Sequence, residues 1–209
     1  MAAAPLAILG THTFAEEVAD LVEQIGEHEL VAFVENWDTE RVGRTLAGRQ
    51  VIWVDELAEH AGEWSAVCAI GSPERRGYVE QVAGLGVEFA TVVHPTAVVA
   101  PSARLGAGCI VAPGVVVGSH TEIGEHVILN RGVLVGHHTR VGSCVTLSPA
   151  ANVAGCVRIG DGAYVGMGAT VIDRRTVGPG ALVAAGAVVV RDVPAEVRVQ
   201  GVPARSVER

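Results

Sequence analysis

From Val99 onward an aliphatic residue returns every sixth position: Val99, Leu105, Val111, Val117, Ile123, Leu129, Val135, Val141, Leu147, Val153, Ile159, Val165, Val171, Val177, Val183 and Val189. Four residues after each stands a small or β-branched residue, with Arg175 the one bulky charged exception. Period six suits neither a 3.6-residue helix nor a globular strand of period two. It predicts a solenoid of short parallel strands, three faces and 18 residues to a coil, with each aliphatic side chain stacked on its equivalent one coil away. Sixteen hexads at the spacing of paired strands make a prism about 25 Å tall. Glycine follows the aliphatic residue at 106, 118, 124, 136, 142, 160, 166 and 178, which predicts corners strained for any residue with a Cβ.

Before residue 94 the pattern is different. Pro5–Gly10 is a short apolar run ending in glycine, as a buried parallel strand requires. Thr13 with Glu16 reads as a capping box opening a helix that carries Val18, Leu21, Val22 and Ile25 on one stripe and stops at Gly26. Leu30–Val34, Val51–Val54 and Ala66–Ile70 read as further strands, and Glu74–Leu85 as a second amphipathic helix. Such alternation predicts a parallel sheet with crossover helices. The chain therefore reads as two domains, residues 1–93 and 94–209.

Charge divides at the same place. Residues 1–93 hold 16 acidic and 5 arginine side chains, residues 94–209 hold 7 and 10, and the net charge is −8. This balance opposes nucleic-acid binding, while the second half suits a compact anionic ligand. All 15 basic residues are arginine, so P-loop and Schiff-base chemistry are excluded. Apolar runs end well short of the roughly 20 residues a membrane span needs. The first residues lack a basic n-region, and Cys68, Cys109, Cys144 and Cys156 sit at no metal-ligand spacing; both features predict a reduced, cytoplasmic protein. Twenty-six glycines against 4% aromatics suit a thin core of Val, Leu, Ile and Ala.

The hexads, together with AIGSPERR at 69–76, VVHPTAVVAPSARLG at 92–106, the Asn130-to-His137 segment and VQGVPAR at 199–205, resemble the hexapeptide-repeat acyltransferases. Nearly the whole chain is similar to their bacterial sugar acyltransferase branch. The resemblance implies a small Rossmann-like α/β domain followed by an all-β left-handed parallel β-helix, which breaks the right-handed crossover rule. It implies acetyl-CoA as co-substrate, no metal, a sugar or nucleotide-sugar acceptor, and a homotrimer that buries outward apolar residues such as Val116, Ile128 and Leu134. Acetyl transfer to an amino sugar is the leading expectation. Transfer to a sugar hydroxyl, and a non-catalytic assembly role, remain open.

Acyl transfer needs a base for the acceptor and a donor for the oxyanion. His94, His120, His126, His137 and His138 are the imidazoles at or near the prism. The resemblance places the catalytic base at His137, in Gly136-His137-His138-Thr139, and acceptor positioning at Asn130. It places an N–H for the thioester carbonyl at Gly155, 18 residues after His137. The family's usual carboxylate after the base is replaced here by His138, so a backbone carbonyl or a neighbouring subunit's acid is expected to orient His137. His120, one coil before His138, is placed to stack on it. Coenzyme A is expected against Gly155, Arg174, Arg175 and Ala185. The first turn of the α/β domain, with Gly10, His12, Thr13, Phe14 and Glu35, is expected to hold the acceptor's nucleotide, because ligands of such sheets bind at the carboxyl ends of the strands.

Overall fold

The computed structural model describes residues 3–207, in two compact units that meet in sequence between His94 and Pro95. The first is an α/β unit. β1 (Ala4–Leu9) is central, flanked by β2 (His28–Glu35) and by Ser65–Cys68. Leu6 through Leu9 are wholly buried, as a strand covered on both faces requires. A short hairpin, β3 (Thr45–Leu46) with β4 (Arg49–Trp53), adds an edge beside β2. β5 (Ser65–Cys68) leads to an outer strand, β6 (Glu88–Phe89). The order is β3-β4-β2-β1-β5-β6, parallel except for the hairpin. α1 (Thr13–Ile25) follows β1, and α2 (Arg76–Gly84) lies between β5 and β6.

Several boundaries differ from the sequence reading. The N-cap of α1 is His12, with no side-chain cap bond. Thr13 is already helical, because Thr11 is anchored by Glu35 and His12 is the last extended residue. Gly26 does end the helix, at φ 71°. Val54 opens a 3-10 segment, Val54–His60, instead of extending β4. β5 stops at Cys68, which frees residues 69–71 to line a cavity. The second helix begins as a 3-10 turn at Pro73–Arg75 and is α-helical only from Arg76.

The second unit is a parallel β-helix built of two-residue strands. Each aliphatic hexad residue pairs with its equivalent 18 residues away, as in Val117↔Val135↔Val153↔Val171↔Val189. The inward residues from Val111 to Val189 are buried, as are the small residues four positions later from Cys109 to Ala169. The three faces differ outside. Arg104, Glu122, Arg140, Arg158 and Thr176 line one. Val98, Val116 and Leu134 stand in a row on another, 62%, 40% and 42% exposed. Ile128, expected beside them as an outward apolar residue, is buried at 1%, and so are Ile110 and Thr146 in its row.

The corners do exclude a Cβ, by close approach of successive coils and not by backbone angle. Glycines after the aliphatic residue do not take positive φ; they are needed because successive coils nearly touch there. A Cβ at Gly106, Gly118, Gly124, Gly136 or Gly166 would lie 2.5–2.8 Å from the next coil's backbone. The left-handed residue comes two positions later. Glycine fills it at 108, 114, 132, 162, 168, 180 and 186, and His126, Cys144 and Ala150 take it at the same two corners; at the third, His120, His138, Cys156 and Arg174 hold φ of 56–58° in four successive coils. Such residues cost about 1 kcal/mol each.

Candidate functional site

That corner carries His137 and Gly155. His137 is exposed, and its ring lies on the coil below: a Cβ at residue 155 would sit 2.8 Å from both Cε1 and Nε2 of the imidazole. Glycine at 155 is thus the condition for the ring's position. The Gly155 carbonyl accepts from Arg174 N–H, and the His137 carbonyl accepts from Cys156 N–H. The Gly155 N–H has no partner among the described residues. His137 Nδ1 is 3.1 Å from Nδ1 of His138, the two rings nearly perpendicular at 85°. His138 in turn faces His120, with ring centroids 4.9 Å apart and a 43° tilt.

The other imidazoles are spent elsewhere. His126 is buried beneath Gly108, and His94 lies 2.9 Å from Gln24 Oε1 in the first unit. Asn130 stands at the preceding corner, where its Oδ1 accepts from Arg131 N–H. One chain therefore does not bring Asn130 to His137; the row of Val98, Val116 and Leu134 separates their corners. Ala185 is exposed on Asn130's corner. Arg174 shares the column of His138, is exposed, and lies 3.9 Å from Asp173. Arg175 donates to the Asp173 carbonyl and sits 3.8 Å from Asp192. Among the described residues no three His, Cys, Asp or Glu gather as metal ligands, and no helix is long and apolar enough to cross a membrane.

In the α/β unit a 310 Å³ cavity opens at the carboxyl ends of β1, β2 and β5. Gly10, His12, Thr13, Phe14 and Glu35 all line it, so the structure brings the expected residues together. Gly10 has φ 115°, and a Cβ there would press on the Ala69 carbonyl and Ile70 at 3.4 Å. Glu35 is buried and engaged with its own chain. Oε1 accepts from the N–H groups of Asn36, Trp37 and Asp38, and Oε2 from the Thr11 hydroxyl. Burial pushes the Glu35 carboxyl up, but these donors prevail and hold it below its ordinary value. Glu35 thus shapes the rim of the cavity.

Sequence reading missed Asn36, Trp37, Asp38, Ile70, Gly71 and Tyr78, which also line the cavity. Trp37 is 89% exposed at its rim, a position in which an apolar side chain is a visible signal. Tyr78 is buried with its hydroxyl unpartnered; burial first, then Cys68 and Glu35, push that hydroxyl far above the usual phenol range. Buried Arg75 braces the loop after β5 by donating to the carbonyls of Ser72 and Ile70.

Comparison with known proteins places this geometry in a family. The profile of the PglD N-terminal domain matches residues 5–81. The structure of perosamine N-acetyltransferase from Caulobacter crescentus, a His-to-Asn variant in complex with CoA and GDP-perosamine, is 34% identical with a TM-score of 0.91. The alignment covers 100% of this chain and 99% of that one. The acetyltransferase domain of PglB from Neisseria gonorrhoeae in complex with acetyl coenzyme A is 30% identical, with a TM-score of 0.90 and coverage of 99% and 100%. WeeI from Acinetobacter baumannii is 29% identical, with a TM-score of 0.89 and coverage of 97% and 99%. A search of curated proteins found no match. The fold is that of an α/β domain joined to a left-handed parallel β-helix, and the chain belongs to the hexapeptide-repeat sugar acyltransferases. It is an acyltransferase.

Proposed function

We propose that this protein transfers the acetyl group of acetyl-CoA to the amino group of a nucleotide-linked amino sugar. The observation that carries the reading is the His137 imidazole lying across the bare backbone of Gly155. His137 Nε2 takes the proton of the acceptor nitrogen as that nitrogen attacks the acetyl carbon; the new C–N bond forms, the C–S bond breaks, and coenzyme A leaves as a thiolate that takes this proton from His137. The free N–H of Gly155 meets the thioester oxygen as charge develops there. Arg174 and Arg175 of one copy and Ala185 of the neighbouring copy line the way for coenzyme A. The cavity with Gly10, His12, Thr13, Phe14 and Glu35 takes the nucleotide. Because that domain is acidic, its backbone N–H groups at the start of α1 must supply the phosphate contacts. The likeness to perosamine N-acetyltransferase favours nitrogen over oxygen as the acceptor.

The exposed row of Val98, Val116 and Leu134 supports a homotrimer. It lies between the corners of His137 and Asn130, so a neighbouring copy seated on it completes the site with its own Asn130. A cytoplasmic enzyme fits free thiols and the supply of acetyl-CoA. The test is thiol release from acetyl-CoA with GDP-perosamine and with UDP-linked amino sugars. Wild-type protein is expected to turn over at least one of these, and His137→Ala to lose kcat by about 10²- to 10⁴-fold. Unaltered turnover by that variant overturns the base assignment; no transfer by wild type to any amino sugar overturns the function.

A further inference from the structure

His138 stands where a carboxylate would ordinarily steer the base, and its geometry assigns it that task. We propose that His138 is the positioning residue of the site, a neutral imidazole that holds His137 in the tautomer able to act as base. The inference rests on the reading of His137 given above.

The 3.1 Å contact joins Nδ1 of both rings. Only one of two facing ring nitrogens can carry the proton, so the pair has two neutral arrangements. If His138 donates, His137 keeps its proton on Nε2, and the nitrogen over Gly155 has no lone pair to offer. If His137 donates, His138 carries its proton on Nε2, and the lone pair of His137 is at Nε2, over Gly155. Only the second arrangement supports proton removal from an acceptor. When His137 receives that proton at Nε2 it becomes a cation, and its Nδ1–H···Nδ1 bond to His138 strengthens as a charge-assisted one.

One further observation points the same way. The His138 ring is braced from behind by His120, with ring centroids 4.9 Å apart. His120 faces the pair from one coil above, and Cys156 follows one coil below in the column of His138. No carboxylate among the described residues bonds to either ring. A carboxylate partner would attract the proton of His137 by its charge. The imidazole partner orients by hydrogen bonding alone, and a proton placed on His138 Nδ1 removes the acceptor.

The test uses three variants of the full chain. His138→Gly suits the left-handed backbone and deletes the ring. His138→Asn tolerates the same backbone and restores an acceptor oxygen. His138→Asp restores an acceptor with a charge. The expected result for His138→Gly is a loss of about 10- to 100-fold in kcat, with KM for both substrates and Tm nearly unchanged. His138→Asn is expected to recover most of that loss. His138→Asp is expected to recover activity and move the acid limb of kcat/KM upward by about one pH unit, because an adjacent anion favours the imidazolium. Wild-type kcat in His138→Gly overturns the inference, as does equal loss in all three variants with an unmoved acid limb. His137→Ala separates the two levels: if it stays active, the base reading itself fails. If it is inactive while His138→Gly is not, only the positioning role fails.

Discussion

The α/β cavity and the prism corner use opposite means to build a site. In the cavity, charge is consumed internally: the Glu35 carboxylate accepts from three backbone N–H groups and Thr11, while Trp37 stands exposed at the rim and the Tyr78 hydroxyl is buried without a partner. At the corner the side chains are in solvent, and the missing groups matter. Gly155 is bare so that His137 can lie on it, and Gly136 is bare so that the coil carrying His137 can approach the next. The cavity is shaped by what its loop binds to itself, whereas the corner is shaped by what has been left out.

The first way to break this comparison is Gly136→Ala. Its Cβ would lie 2.5 Å from the Ala154 carbonyl carbon and the Gly155 nitrogen, both backbone atoms that cannot move aside singly. We expect a loss of about 3 kcal/mol, read by urea unfolding. A neutral result would show that the coils can spread.

Gly155→Ala tests the corner more finely. The three atoms nearest the Cβ all belong to the His137 ring, which can rotate away, so the fold should survive while the imidazole is displaced. The expected outcome is a loss of about 30-fold in kcat, roughly 2 kcal/mol, with Tm within about two degrees of wild type. Equal kcat in the two proteins would mean that the ring position seen here is not the working one.

Glu35→Gln probes the cavity and should act on stability, by about 1.5 kcal/mol near neutral pH through loss of charge-assisted bonds. The folded carboxyl is held below its ordinary value of 4.5. Its contribution is therefore fully present above that value and disappears as pH falls through the folded one. Wild type and variant should converge in acid. An advantage that stays constant with pH would assign the effect to packing.

Much of the prism was legible in the sequence because a parallel coil repeats its geometry every 18 residues. Gly155 under His137 and His120 beside His138 follow from that spacing alone. The same arithmetic marks the glycines after the aliphatic residues as closed to a Cβ without giving the cause. A period reveals that one residue per turn is special, but whether for backbone angle or for close approach depends on φ at 120, 138, 156 and 174 and on the distance to the next coil. Asn130 shows another limit. Seven residues of sequence join it to His137, yet they turn around a corner and cross a face, so the two side chains stand apart in one chain.

The α/β unit was legible at its centre and less so at its rim. Leu6–Leu9 and the glycine stop at Gly26 announce themselves, because apolar runs and left-handed caps are local properties. The loop of Asn36, Trp37 and Asp38 takes its shape from Glu35, and Tyr78 reaches the same cavity from α2; neither is local in sequence.

Period and composition were enough to determine the coil and the inward column, and the absence of lysine to exclude lysine chemistry, since each depends on residue type and spacing. The tertiary structure alone decided that His138 Nδ1 meets His137 Nδ1 and that Glu35 is occupied by its own loop. Ring orientation and hydrogen-bond partnership are set by packing between neighbours in space, and a pattern along the chain does not carry them.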